Sequence, residues 1–182
     1  MGWSRIFAAI ASNDPGREPA LFEQWGAMQV RDVEIFGRID RLDLLADGSF
    51  AVVDYKTGGP PSGAQVEKGF ALQLGTLGLM VEAGGFEGAT GAATAFEYWS
   101  LGKSDKSETG FGYISTPLHI PPKRSGIPPE EFLPQASWFL HDALDKWILG
   151  SEPFTARLNP DAQGYATYDQ LMRLDEWMGR EE

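Results

Sequence analysis

Apolar and polar residues alternate along residues 30–45 as they do in one long strand, with Val33, Ile35, Ile39, Leu42 and Leu44 at the apolar positions. The parity changes between Ile39 and Leu42, which predicts a bulge or sharp twist around residues 37–41. Asp47-Gly48 is a hairpin signal, and residues 50–57 read as the returning strand, closed by Gly58-Gly59-Pro60-Pro61. The period then becomes helical over residues 62–83: Ser62 suits the N-cap, and Val66, Phe70, Leu77 and Met80 form one stripe. A Gly-rich link at 84–91 leads to a strand at 92–101 containing Phe96, Tyr98 and Trp99, a polar loop at 102–110 and a further strand at 111–118. A proline-rich connector at 121–129 precedes a long helix over 128–150, with Phe132, Ala136, Phe139/Leu140, Ala143 and Trp147 as its buried stripe. Ahead of the hairpin, residues 3–11 read as an amphipathic helix with Ile6, Phe7 and Ile10 on one side. Asn13-Asp14-Pro15-Gly16 breaks it, and residues 19–25 form another turn or two of helix with Phe22 and Trp25 facing inward. Tyr165, Tyr168 and Trp177 make a small aromatic cluster in the tail. The predicted order is α-β-β-α-β-β-α, an α/β (α+β) fold with helices covering a mixed sheet.

Composition narrows the chemistry. A chain of 182 residues with 42% hydrophobic and 12% aromatic content can bury a sizeable core as one domain. With no cysteine, it has no disulfide, thiolate zinc site, thiol nucleophile or cysteine-bound iron–sulfur cluster. Its two histidines, His119 and His141, have no ligand spacing. No run approaches the roughly 18 apolar residues of a membrane span, and the N-terminus has no long apolar signal region, so a soluble, cytoplasmic protein is expected. The net charge of −11, from 15 basic and 26 acidic residues, argues against a free-standing nucleic-acid binder and for a partner that supplies most of the grip.

The chemistry-bearing residues sit on the predicted hairpin. By the period of two, Asp54 and Lys56 share a face of the returning strand. Asp40, fourteen residues upstream, is nearly equidistant from the turn and is expected across the ladder from Asp54. Two carboxylates so placed repel each other, and a hard cation such as Mg²⁺ or Mn²⁺ resolves the conflict. Asp40, Asp54 and the backbone carbonyl of Tyr55 are the candidate ligands. Lys56 is the candidate catalytic lysine, orienting or deprotonating a water or neutralising developing charge beside a phosphodiester. The bland alternative is an exposed Asp–Lys ion pair worth about 0–1 kcal/mol. Gln73 falls inside the apolar stripe of the following helix, where an amide needs a partner. It either reaches the Asp54 strand or is a core glutamine bonded to backbone. Arg38 and Arg41 flank Asp40 and either contact phosphate or balance Asp40 and Asp43. Lys123-Arg124, Lys103 and Lys106 read as solvated loop charges, and Trp99, Trp138 and Trp147 as core packing. Gly58-Gly59-Pro60-Pro61 lacks the spacing of a phosphate loop, so nucleotide binding is not expected.

Gly37-Arg38-Ile39-Asp40-Arg41-Leu42-Asp43, Val53-Asp54-Tyr55-Lys56-Thr57-Gly58 and Gln73-Leu74 together resemble the PD-(D/E)XK nuclease superfamily. The likeness is closest to the RecB-like domain that ends AddB subunits of bacterial AddAB helicase–nucleases. Residues 168–177 also resemble the end of such chains. The resemblance implies a restriction-endonuclease-like core at about 27–118 and a C-terminal helical region at 127–182, within a single domain. It implies a Mg²⁺-dependent, exonuclease-like deoxyribonuclease in double-strand-break repair, with DNA and an AddA-like subunit as partners. Asp40 and Asp54 would be metal ligands, Lys56 the catalytic lysine and Gln73 the helix glutamine of a Gln-x-x-x-Tyr motif. Three departures stand out. Leu77 replaces the motif's tyrosine. The family's upstream metal ligand has only Glu23 as candidate, with Glu34 on the strand as runner-up. The iron–sulfur cluster of some AddB proteins has no cysteines here. The helicase-like portion is also missing, as expected for an excised domain or a short stand-alone relative.

Overall fold

The computed structural model describes residues 15–103, 111–121 and 126–153. The helix expected at residues 3–11 and the aromatic cluster of the tail lie outside them. A five-stranded sheet runs in chain order: β1 (Glu18–Val30), β2 (Val33–Leu44), β3 (Phe50–Lys56), β4 (Ala93–Lys103) and β5 (Phe111–Ser115). All neighbours are antiparallel except β3 and β4, which are parallel. A parallel pair needs a crossover. Helices α1 (Gly63–Glu67) and α2 (Gln73–Glu82) supply it, and α3 (Pro129–Ala143) follows β5. This mixed sheet flanked by helices is an α+β arrangement of the restriction-endonuclease-like kind. The chain divides into two compact units, residues 1–141 and 142–182. The described part of the second continues as a π-helical turn, Leu144–Ile148, with a Lys146–Asp142 ion pair at 2.8 Å.

The Asp47-Gly48 turn forms as its residues require. Gly48 takes φ +83°, and the Asp47 carboxylate accepts from the Ser49 amide and hydroxyl. The parity change within β2 is also present. Ile39 and Leu42, three positions apart, are both fully buried in the main core. The matching irregularity lies on β1: the register slips between Pro19 and Leu21, and Glu23 adopts φ +46°.

Three expected elements need correction. Residues 19–25 are strand, not helix, and Phe22 and Trp25 are 56% and 66% exposed rather than inward-facing. The three-residue spacing of these aromatics mimicked a helical face, but cross-strand pairing with β2 set the conformation. The helix over 62–83 is two helices. Ser62 does cap the first, in a reciprocal box with Gln65. Gly69, at φ +79°, then interrupts the path, and Phe70 of the supposed stripe is 47% exposed. Trp138 lies on the outer face of α3 and is 60% exposed.

The main core lies between one face of the sheet and α2, and it includes Ile39, Leu42, Val52, Leu74, Leu77, Met80, Phe96 and Phe132. Glycines let α2 sit deep in it. A Cβ on Gly78 would come within 2.6 Å of the Phe96 ring, and one on Gly75 would overlap Ala136 of α3. On the opposite face, Val53 and Trp99 are fully buried beside a charge network. There Arg17 donates to Asp43 at 2.7 Å and, bidentately, to Glu97 at 3.0 Å, while Arg41 donates to Asp43 at 2.6 Å.

Candidate active site

The last turn of β3 and the first turn of α2 converge. Pairing between β2 and β3 runs from Leu44↔Phe50 to Arg41↔Val53 and stops one step before Asp40 and Asp54. There the strands part, and an Asp40 oxygen accepts from the Tyr55 amide at 3.0 Å instead of a carbonyl continuing the ladder. This fixes Asp40 beside the end of β3. Asp54 is 2% exposed. Lys56, two residues on and on the same face, brings its ammonium to 2.7 Å from Asp54 Oδ2. The same ammonium donates to Gln73 Oε1 at 3.0 Å and lies 5.7 Å from the centre of the Tyr98 ring.

Gln73 is therefore not the buried stripe amide that the helical period suggested. It is exposed, at the first position of α2, because the chain breaks at Gly69 and restarts. It still reaches the Asp54 strand, through Lys56.

Burial holds the Asp54 carboxyl above its ordinary range. Lys56 opposes this as hydrogen-bond partner and counter-charge, the Asp40 charge adds to it, and Gln73 opposes it more weakly. Burial, together with the charge of Asp54, likewise raises the Tyr98 phenol well above its ordinary value. The Lys56 ammonium is the close partner of the buried Asp54 Oδ2, at 2.7 Å. The ion pair thus sits beside a second carboxylate, Asp40. Among the described residues no cluster of three or more His, Asp or Glu side chains forms. Asp40, Asp54 and the Tyr55 carbonyl, the candidate ligands, are oxygen donors of the kind a hard cation that keeps several of its waters takes.

A cleft of about 290 Å³ adjoins Gln73, lined by Phe36, Gly37, Arg38, Leu72, Gln73, Thr76, Leu77 and Met80. Arg38 is half-exposed at this cleft, 3.7 Å from Glu23. Arg41 points the other way. Its side chain is 4% exposed, bound to Asp43 and stacked 4.7 Å from the Trp99 ring centre. This placement is that of the charge-balancing alternative, with Asp43 as the partner. Glu23 is largely exposed and engaged with Arg38, while exposed Glu34 sits towards the far end of the β1–β2 hairpin, opposite Gln29. The strand register sets Glu23 level with Asp40, between the pairs Phe22↔Arg41 and Gln24↔Ile39, whereas Glu34 lies further along the hairpin.

Two features escaped the sequence reading. Arg17 and Glu97 are eighty residues apart, and only strand order brings them together. Tyr98 read as one more apolar strand residue, whereas it is the Cα partner of Asp54 in the parallel ladder.

No helix among the described residues is long and apolar enough to cross a membrane. A search of curated proteins found no match. The family model of the PD-(D/E)XK nuclease superfamily matches residues 3–169, most of the chain and all of the hairpin, cleft and crossover described above. On that match the chain belongs to the PD-(D/E)XK nuclease superfamily, whose members are nucleases that generally depend on divalent metal.

Proposed function

We propose that this chain is a Mg²⁺- or Mn²⁺-dependent, exonuclease-like deoxyribonuclease domain of an AddB-like helicase–nuclease, working in cytoplasmic double-strand-break repair beside an AddA-like subunit. Residues 1–182 act as one nuclease-like domain in this reading. The observation that carries it is the Lys56 ammonium, 2.7 Å from Asp54 and 3.0 Å from Gln73, itself a lining residue of an open cleft. Asp40, Asp54 and the Tyr55 carbonyl would hold the cation, which supplies charge neutralisation at phosphoryl oxygens and a more acidic water. Lys56 then orients the attacking water or neutralises the charge that develops on the phosphate. Gln73 holds Lys56 in place, and Arg38 meets the DNA backbone at the cleft. The partner subunit supplies most of the affinity, since the chain carries −11.

Cleavage of a single-stranded oligonucleotide with Mn²⁺ tests the reading. Lys56→Ala is expected to lower kcat at least about a hundredfold, the usual scale for a lost acid–base or electrostatic group. Wild-type protein no more active than that variant counts against the assignment. Leu77 supports a second reading: it lines the cleft where the family motif has tyrosine, which would suit a catalytically weak module that docks a helicase or guides a strand. Activity that disappears with Lys56→Ala eliminates the docking-only reading.

A further inference from the structure

We infer that Phe36, with Trp25 behind it, is a stacking ledge for one unpaired base of a DNA strand at the cleft, so that the site selects single-stranded substrate; the assignment rests on the nuclease reading above. Phe36 and Arg38 lie two residues apart on β2, and Trp25 is the cross-strand partner of Arg38, so the three side chains leave the hairpin on one face. The Trp25 and Phe36 ring centres are 6.5 Å apart, with the rings tilted by 50°. The two residues are 66% and 69% exposed. Phe36 and Arg38 also line the cleft, together with Gln73, whose amide oxygen accepts from the Lys56 ammonium at 3.0 Å. The aromatic face is therefore continuous with the catalytic lysine. Gly37, between Phe36 and Arg38, keeps the passage open. A Cβ there would already touch Leu77 and Met80, at 3.6 and 3.7 Å, and a larger side chain would fill the cleft.

Single exposed apolar residues are ordinary, but two large rings side by side at a cleft hold apolar surface in water that a ligand would remove from it. The occupant must bring a flat apolar face. An unpaired base does so, whereas a paired base keeps its faces within its own stack. Charge points the same way. With a net charge of −11 the chain holds phosphates poorly, and stacking needs no cation. Arg38 is the cationic residue lining this cleft, and its guanidinium lies 3.7 Å from the Glu23 carboxylate, with both side chains well exposed. So exposed a pair is weak enough to open to a phosphate. Glu23 repels any further phosphate nearby, so the base rather than the backbone carries the selection. The cleft, about 290 Å³, is at the small end for a ligand site and has room for one base, not for a duplex.

Binding is measured apart from cleavage. The full chain carrying Lys56→Ala, which leaves the strand intact, is titrated with Mn²⁺ into a labelled single-stranded oligonucleotide and followed by fluorescence anisotropy. The same is done with Phe36→Ala, Phe36→Leu or Phe36→Tyr added. Phe36→Ala should raise Kd about 5- to 100-fold, the scale of one lost base stack; Phe36→Leu should raise it about as much, and Phe36→Tyr should keep it within about twofold. On a strand of abasic residues Phe36→Ala should change Kd by less than about twofold, and a duplex should bind more weakly than the single strand. Tm without DNA should stay within about 2 °C, as for an exposed side chain. An unchanged Kd with Phe36→Ala overturns the assignment, as does Phe36→Leu binding as tightly as its parent, which makes the patch merely apolar. Equal losses on the abasic strand, a duplex bound as tightly as the single strand, or no binding by any of these proteins overturn it too. A lower Tm with binding lost in proportion to unfolded protein makes the ring structural and has the same effect. Wild type that cleaves no better than Lys56→Ala removes the nuclease reading and this assignment with it, whereas an unchanged Kd removes the assignment alone.

Discussion

Asp54 is placed against its own stability. It is almost fully buried, near Asp40, and Lys56 at 2.7 Å offsets that burial only in part. Asp54→Asn keeps the shape and removes the buried charge. In the absence of divalent metal this variant should melt higher than wild type while losing cleavage, the trade expected where a strained site serves function. Lys56 would not be stranded, since it keeps Gln73 and its side chain is 28% exposed. A lower Tm would mean that the Lys56–Asp54 pair outweighs the burial cost. The Asp-x-Lys face was legible from the sequence because it needs only the two-residue period of a strand. The position of Asp40 followed from counting to the turn. Gln73 was found for the wrong reason: its link to Lys56 is present, but its burial is not, because the period does not register a restarted helix. Arg41 was left open between two roles, and its burial against Asp43, which depends on packing across the sheet, is not legible in the local sequence.

Short-range signals predicted the elements they govern. Asp47-Gly48 and the Ser62 cap act within four residues, and both formed as read. β1 was misread because little of its apolar surface is buried. Its aromatics face outward, Trp25 lies 6.5 Å from Phe36, ring centre to ring centre, and strand character comes from partners thirteen or more residues away at that end. The glycines of α2 carry information that a hydrophobic stripe hides. Gly75 and Gly78 are not weak helix positions tolerated by chance, since they let β4 and α3 close on the helix from two sides. Gly78→Ala should therefore destabilise the fold, although alanine is the better helix former, by about 1–3 kcal/mol from overpacking. Urea denaturation checks it, and an unchanged midpoint would mean that Phe96 and Leu133 move aside at little cost.

For the molecule as a whole, charge sets the terms. Arg17 and Arg41 are locked to Asp43 and Glu97, two cations against two anions, so the network leaves the imbalance of −11 on the remainder. A domain of this charge favours small cations over polyanions, and metal should be its strongest ligand in isolation. Mg²⁺ or Mn²⁺ should raise the Tm of wild type, by the equivalent of about 2.7 kcal/mol at a hundred times Kd, and should not raise that of Asp54→Asn. Equal shifts in both proteins would place the ion elsewhere on the acidic surface. The break at Gly69 has a longer reach than its single residue suggests. Its left-handed backbone approaches the Phe139 ring, where a Cβ would come within 2.6 Å, and four residues later the chain delivers Gln73 to Lys56. Phe139 belongs to α3, so a helix with no candidate site residue packs against the turn that leads into Gln73. The seating of the lysine thus depends on a ring seventy residues further along the chain.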